Sequence, residues 1–233
     1  MNDKLNLVFN EFKNNFERRF QKQSILDLGE DSLRYDFFVA LMNVFSLKSH
    51  DIQVEVPIHK ETFIERNTPG SKRKESPQID LFSKIGDRGI TVEFGIFKRN
   101  SNINASINQT ESVFKILNDM LRLSLNQNYT DCDAYFVCVA DEKLIGKKLR
   151  GNMFPAFPPQ KYEFNHSNIE SWVQSIKSAE SKFDDRFFPK ASELRLLINA
   201  SLIYDEKILN PTNISSNSLE TRIIVYKVEG TRS

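Results

Sequence analysis

Apolar residues along the chain follow two periods, and the switches between them mark the elements. Leu5, Val8, Phe9, Phe12, Phe16 and Phe20 recur at spacings of three and four, with Lys, Glu, Asn and Arg between them. This predicts an amphipathic helix whose aromatic stripe packs on a core. Leu28-Gly29 breaks the run, and Asp31 or Ser32 is placed to cap a second helix carrying Leu33, Phe37, Phe38, Leu41, Met42 and Phe45. From Ile52 to Ile58 the pattern alternates with a period of two, which predicts a strand ending near Pro57. Gln78 to Lys84 and Gly89 to Phe97 read as two more strands joined at Gly86-Asp87-Arg88-Gly89, giving an antiparallel meander.

Helical spacing returns with Val113, Ile116, Leu117, Met120, Leu121 and Leu123. The run from Asp133 to Ala140 is almost wholly apolar, as expected of a strand covered on both faces. Beyond it the pattern predicts a short helix around Lys143 to Arg150 and a helix from Ile169 to Ala179. Strands are predicted over about Glu193 to Tyr204 and Thr221 to Val228. Three stretches carry turn chemistry: Asn67 to Ser76, the proline-aromatic run Met153 to Pro159, and Asn210 to Ser218. No repeat or linker divides the chain, so the expectation is one α/β domain over 1–233. Its core spans about 28–140, with a mixed central sheet flanked by helices, and a strand-rich C-terminal extension spans about 160–233.

With 233 residues, 39% of them hydrophobic and 27% charged, the chain is long enough to bury a core without staples. The 32 Lys and Arg against 31 Asp and Glu leave a net charge of +1, so any binding of nucleic acid rests on a local basic surface. Two cysteines, Cys132 and Cys138, exclude a disulfide framework and a four-thiolate zinc site. The amphipathic N-terminal segment lacks the apolar stretch of a secretory signal, and no segment approaches a membrane span, so a cytoplasmic protein is expected. Neither a Gly-x-Ser-x-Gly elbow nor a Gly-rich phosphate loop occurs, which removes triad hydrolysis and a bound nucleotide cofactor. His59 and His166 have no partner at metal-ligand spacing.

The chemistry concentrates in Pro77-Gln78-Ile79-Asp80-Leu81-Phe82 and, twelve residues on, Glu93-Phe94-Gly95-Ile96-Phe97-Lys98. Each carboxylate interrupts an apolar strand, where burial without a partner is costly, so a cation is expected nearby. On adjacent strands the two converge and suit Mg²⁺, which takes oxygen ligands and keeps waters and substrate phosphate in its other positions. Solvent-facing strand positions are the competing reading. Glu55 fits either a third ligand or the polar face of its strand, and Glu30 fits either a site residue or a helix N-terminal carboxylate. Lys98 beside Arg99 also reads as a surface pair.

These segments resemble the PD-(D/E)xK phosphodiesterase superfamily, which includes many type II restriction enzymes, over roughly residues 28 to 140. The resemblance implies a restriction-endonuclease-like core in which Asp80 and Glu93 bind Mg²⁺ and Glu30 assists. Gly95 stands where that pattern has lysine, so Lys98, three residues on, takes the lysine's role, with Lys60 and Lys115 as other donors. Strand alternation turns Lys98 away from Glu93 unless a bulge intervenes. The implied function is Mg²⁺-dependent DNA cleavage in restriction or phage defence by a homodimer, the C-terminal extension serving dimerisation or target reading. Lys72, Arg73, Lys74, Lys147, Lys148 and Arg150 are the candidate DNA contacts. The alternative is a degenerate member that binds DNA or a protein partner without cleaving.

Overall fold

The two periods of the sequence become a sheet with helices on each side. The computed structural model describes residues 2–65, 76–98, 108–148, 154–175, 186–208 and 220–232. In chain order these form α1 (Asn2–Phe20), α2 (Glu30–Phe45), β1 (Ile52–Pro57), β2 (Gln78–Ile85), β3 (Arg88–Phe97), α3 (Gln109–Gln127), β4 (Cys132–Asp141), β5 (Lys161–Asn165), α4 (His166–Ser175), α5 (Phe188–Glu193), β6 (Leu196–Ile208) and β7 (Thr221–Arg232). The strands make a seven-stranded sheet in the order β1-β2-β3-β4-β7-β6-β5. β1, β2 and β3 form the expected antiparallel meander, and β3 pairs in parallel with β4 from Gly89↔Cys132 to Phe97↔Ala140. The architecture is α/β with a mixed sheet. Among the described residues no helix is long and apolar enough to cross a membrane.

Because side chains alternate along a strand, the sheet feeds two cores. Val92 and Phe94 of β3, with Tyr135, Val137 and Val139 of β4, point to α1 and α2 and meet the buried phenylalanine stripe of α1. Phe97, Ala134, Phe136 and Cys138 point the other way, to α3 and α5. The aromatic stripe is therefore a core face: Phe12 stacks edge-on against Phe37, which stacks edge-on against Phe94. Cys132 and Cys138 are free, buried thiols.

Four expected boundaries move. Gly29 precedes α2 in place of Asp31 or Ser32: its extended backbone presents the carbonyl that accepts from the Ser32 N–H at 3.0 Å. The described part of the expected helix at Lys143 to Arg150 is a run of turns, because Gly146 takes a left-handed φ of 72° and Lys148 bridges to Ala156. Glu193 ends α5, which has a proline in its first turn, and Arg195 at φ 48° swings the chain into β6. The C-terminal strands are no appendage: β7 pairs with β4 over eight positions and β6 and β5 continue outward, so three of the seven strands come from beyond residue 160. Strand β5 and helix α5 are absent from the sequence reading.

Candidate functional site

Asp80 and Glu93 flank the point where the meander forks, near enough for each charge to act on the other. β1 and β2 stay paired on both sides of Asp80, with Val54 opposite Leu81 and Val56 opposite Ile79, whereas the β2–β3 register begins at Leu81↔Val92. Toward Gln78, β2 parts from β3, and the Asp80 carboxylate fills the gap: its Oδ2 accepts from the Phe94 backbone N–H at 2.8 Å. Its Oδ1 accepts from Arg34 Nη2 of α2, also at 2.8 Å. Arg34 reaches Glu55 Oε1 at 3.3 Å and Asp31 Oδ1 at 3.4 Å as well. Glu55 is held at φ 54°, a left-handed conformation uncommon for a side-chain-bearing residue, on the β1 stretch facing Asp80.

Glu93 enters the opposite layer. Its side chain is 1% exposed and its Oε2 lies 3.3 Å from Arg122 Nη2 of α3. The same Nη2 donates to Asp119 Oδ1, and Arg122 Nη1 donates to the Gln78 carbonyl at 3.1 Å, holding the start of β2. One turn back on α3, Lys115 Nζ lies 3.0 Å from Asp119 Oδ2 and 3.2 Å from Glu30 Oε1 at the start of α2. Four carboxylates, Glu30, Asp80, Glu93 and Asp119, are thus interleaved with three cations, Arg34, Lys115 and Arg122.

Burial sets the electrostatics. It drives the Glu93 carboxyl well above its ordinary range, with Arg122 opposing and Asp119 and Asp80 reinforcing. Glu30 is raised for the same first reason, against the pull of Lys115. Desolvation works against the Lys115 ammonium, yet Asp119 and Glu30 outweigh it and hold the pKa above the usual lysine value. Of the six described side-chain nitrogens and oxygens that are buried without a hydrogen-bond partner, four belong here: Arg34 Nε, Glu93 Oε1, Asp119 Oδ2 and Arg122 Nε. Asp119 Oδ2 has Lys115 within ion-pair distance but not in hydrogen-bonding alignment.

The other expected site residues separate. Lys98 lies on the face of α1 and α2, and its Nζ donates to the Leu26 carbonyl at 2.7 Å and to the Leu28 carbonyl, closing the short helical turn after α1. Burial lowers its pKa, against Asp27. The structure does not bring it to Glu93. Gly95 is explained by crowding: a Cβ there meets Phe136 Cζ at 3.1 Å and Phe97 Cζ at 3.2 Å, so the two rings occupy the path of a side chain. Lys60 is exposed in the helical turn after β1. Lys147 and Lys148 stand exposed in the turns after β4, while Lys72, Arg73, Lys74 and Arg150 lie outside the described residues.

Among the described residues no group of three or more His, Cys, Asp or Glu is arranged to hold a metal ion. The donors at the fork are nevertheless all oxygen, and Glu93 Oε1 is buried without a partner. That set fits a hard cation which keeps several of its waters and binds through one or two carboxylates. Arg34, Asp119 and Arg122 were missed in the sequence because charged helix residues read as solvated. Their signal was the spacing Lys115, Asp119, Arg122 on one helix face, a row of charges on the side where Met120 and Leu123 flank it with apolar core. Comparison with family models, curated proteins and solved structures finds no match for the chain.

Proposed function

We propose that this chain is a divalent-cation-dependent nuclease with a restriction-endonuclease-like core, hydrolysing DNA phosphodiester bonds in restriction or phage defence. The observation that carries this reading is the concentration of unpartnered buried polar atoms at one fork. Buried polar groups are nearly always satisfied, so a cluster of exceptions calls for bound water, an ion or a ligand. One is the Glu93 carboxylate oxygen, which suits a hydrated cation, and two are guanidinium N–H groups, which suit a phosphate, while Asp119 Oδ2 already faces Lys115 at 3.0 Å.

In this reading Asp80 and Glu93 hold Mg²⁺, with Glu30 beside them. When bound, the cation lowers the pKa of a coordinated water and neutralises charge on the phosphate. Arg34 and Arg122 turn their free N–H groups to the scissile phosphate. Lys115, fixed between Glu30 and Asp119, supplies the ammonium that Gly95 lacks and Lys98 spends on the turn after α1. Cutting both strands takes two such sites, hence a homodimer. The test is cleavage of plasmid and phage DNA by the purified protein with Mg²⁺, beside EDTA and Asp80→Ala. Metal-dependent fragments that vanish in Asp80→Ala support the reading, and intact DNA with every divalent cation ends it.

A second reading, a non-cleaving module that binds DNA or a protein, is favoured by one observation. Arg34 already sits on Asp80 and Arg122 on Glu93, so the protein's own cations neutralise both carboxylates. DNA retained on the protein but left intact supports it.

A further inference from the structure

A cavity lies beside the fork. It has a volume of about 210 Å³ and lies on the sheet face that also carries Glu93, with Ile79 and Phe82 of β2 as its apolar floor. Gln53 brings an exposed side-chain amide to its mouth, Thr91 and Asn126 line it with polar groups already bonded to the Asp133 carbonyl, the His59 N–H and Thr130 Oγ1, and His59 and Cys132 line it as well. Among the described residues no Asp, Glu, Lys or Arg lines it and His59 is its one titratable neighbour besides Cys132, in contrast to the charged fork alongside. The two are adjacent along the chain: Ile79 precedes Asp80, and Asn126 follows Arg122 by one turn of α3, a rise of about 6 Å.

We propose that this cavity takes one unstacked nucleobase of the nucleic acid whose backbone lies at Asp80 and Glu93. The inference rests on the hydrolytic reading and names what that site recognises. A cavity whose described lining lacks Asp, Glu, Lys and Arg, beside a charged cluster, matches the division of a nucleotide into an uncharged base and an anionic phosphate. Its volume is that of about seven waters at ~30 Å³ each, room for one heteroaromatic ring system. An apolar floor beneath a side-chain amide is also what reads an extruded base: the ring lies on the floor, and its edge exchanges hydrogen bonds with Gln53 at the mouth. The Gln53 amide presents the donor and acceptor pair that suits adenine, so adenine is the base expected to bind most tightly.

Cys132 is a built-in reporter. It lines the cavity at 8% exposure, whereas Cys138, the other cysteine, is 0% exposed in the core. Alkylation by iodoacetamide is followed by intact mass in EDTA, at alkaline pH because burial raises the Cys132 thiol. The four nucleoside 5′-monophosphates, each at ten times its Kd, are expected to slow the reaction about tenfold, and inorganic phosphate to leave it unchanged. No protection by any nucleotide, or equal protection by phosphate, overturns the proposal. Gln53 is exposed on the edge strand, so Gln53→Trp fills the mouth without disturbing the core. It is expected to abolish nucleotide binding seen by nuclear magnetic resonance while the circular dichroism stays unchanged, and undiminished binding counts against the cavity. Protection without DNA cleavage by any divalent ion keeps the cavity and ends the nuclease reading. Cleavage without protection does the reverse.

Discussion

Two ion pairs from α2 show how the same residue types serve opposite ends. Asp36 receives both arms of Arg19, Nε on Oδ2 and Nη2 on Oδ1, each at 2.8 Å, and no atom of the pair is left buried and unpartnered. Two residues earlier Arg34 gives one arm to Asp80 and leaves Nε buried without a partner, and beyond it Glu93 and Arg122 each leave one atom unmatched. The first pair is a closed fork-to-fork bond that ties α2 to α1. The second set has capacity left over, and unsatisfied capacity rather than charge is what sets the proposed site apart from a brace.

The contrast is open to attack in order of expected effect. Asp80→Ala should reduce Mg²⁺-dependent cleavage by about a hundredfold or more, the scale of a lost transition-state contact, while Asp36→Ala should leave the rate per folded molecule unchanged. Equal losses in the two variants erase the distinction. Next, Lys115→Met should reduce cleavage by about 10²-fold, and Lys98→Met should cost activity nothing, since its ammonium serves the Leu26 and Leu28 carbonyls. The reverse ranking restores Lys98 as the working lysine.

For stability the order inverts. Asp36→Ala should cost about 1–3 kcal/mol by stripping Arg19 of its partner, lowering Tm by roughly 2–4 °C for each kcal/mol in a chain of this size; urea titration reads it. The smallest effect is pH dependence. Glu93 and Glu30 are raised by burial, so their contribution to stability is complete below the ordinary carboxylate range, near pH 4, and is lost as pH rises through their folded values. Tm should therefore fall by a few degrees, about 2–4 °C, over that rise. Glu93→Gln should flatten the profile, and Mg²⁺ should restore stability only on the alkaline side. A profile unchanged by Glu93→Gln removes Glu93 from this account.

Periodicity carried most of the fold. The phenylalanine stripe, the meander and the doubly covered β4 were legible because burial leaves a regular apolar trace. β5 was not, because five residues that alternate once or twice look like loop, nor was α5, whose first-turn proline reads as a breaker. At the site, Asp80 and Glu93 were legible as carboxylates interrupting apolar strands, and alternation alone already set Lys98 on the far face. Of the helix-borne half, Lys115 was legible as an alternative donor, but Arg34, Asp119 and Arg122 were hidden, because they acquire meaning only when α2 and α3 converge across the fork. Gly95 was visible as a gap, but its cause, the rings of Phe97 and Phe136, is a matter of three-dimensional space.

The place of β7 has a consequence for how the molecule is made. β4 finds one neighbour in β3, already synthesised, but its other is β7, and roughly eighty residues separate Asp141 from Thr221. At about 5–20 residues per second on the ribosome, an apolar strand at the centre of the future sheet waits on the order of 4–16 s with one edge open. Nascent chains halted in that interval are the form of this protein most exposed to aggregation and to capture by chaperones.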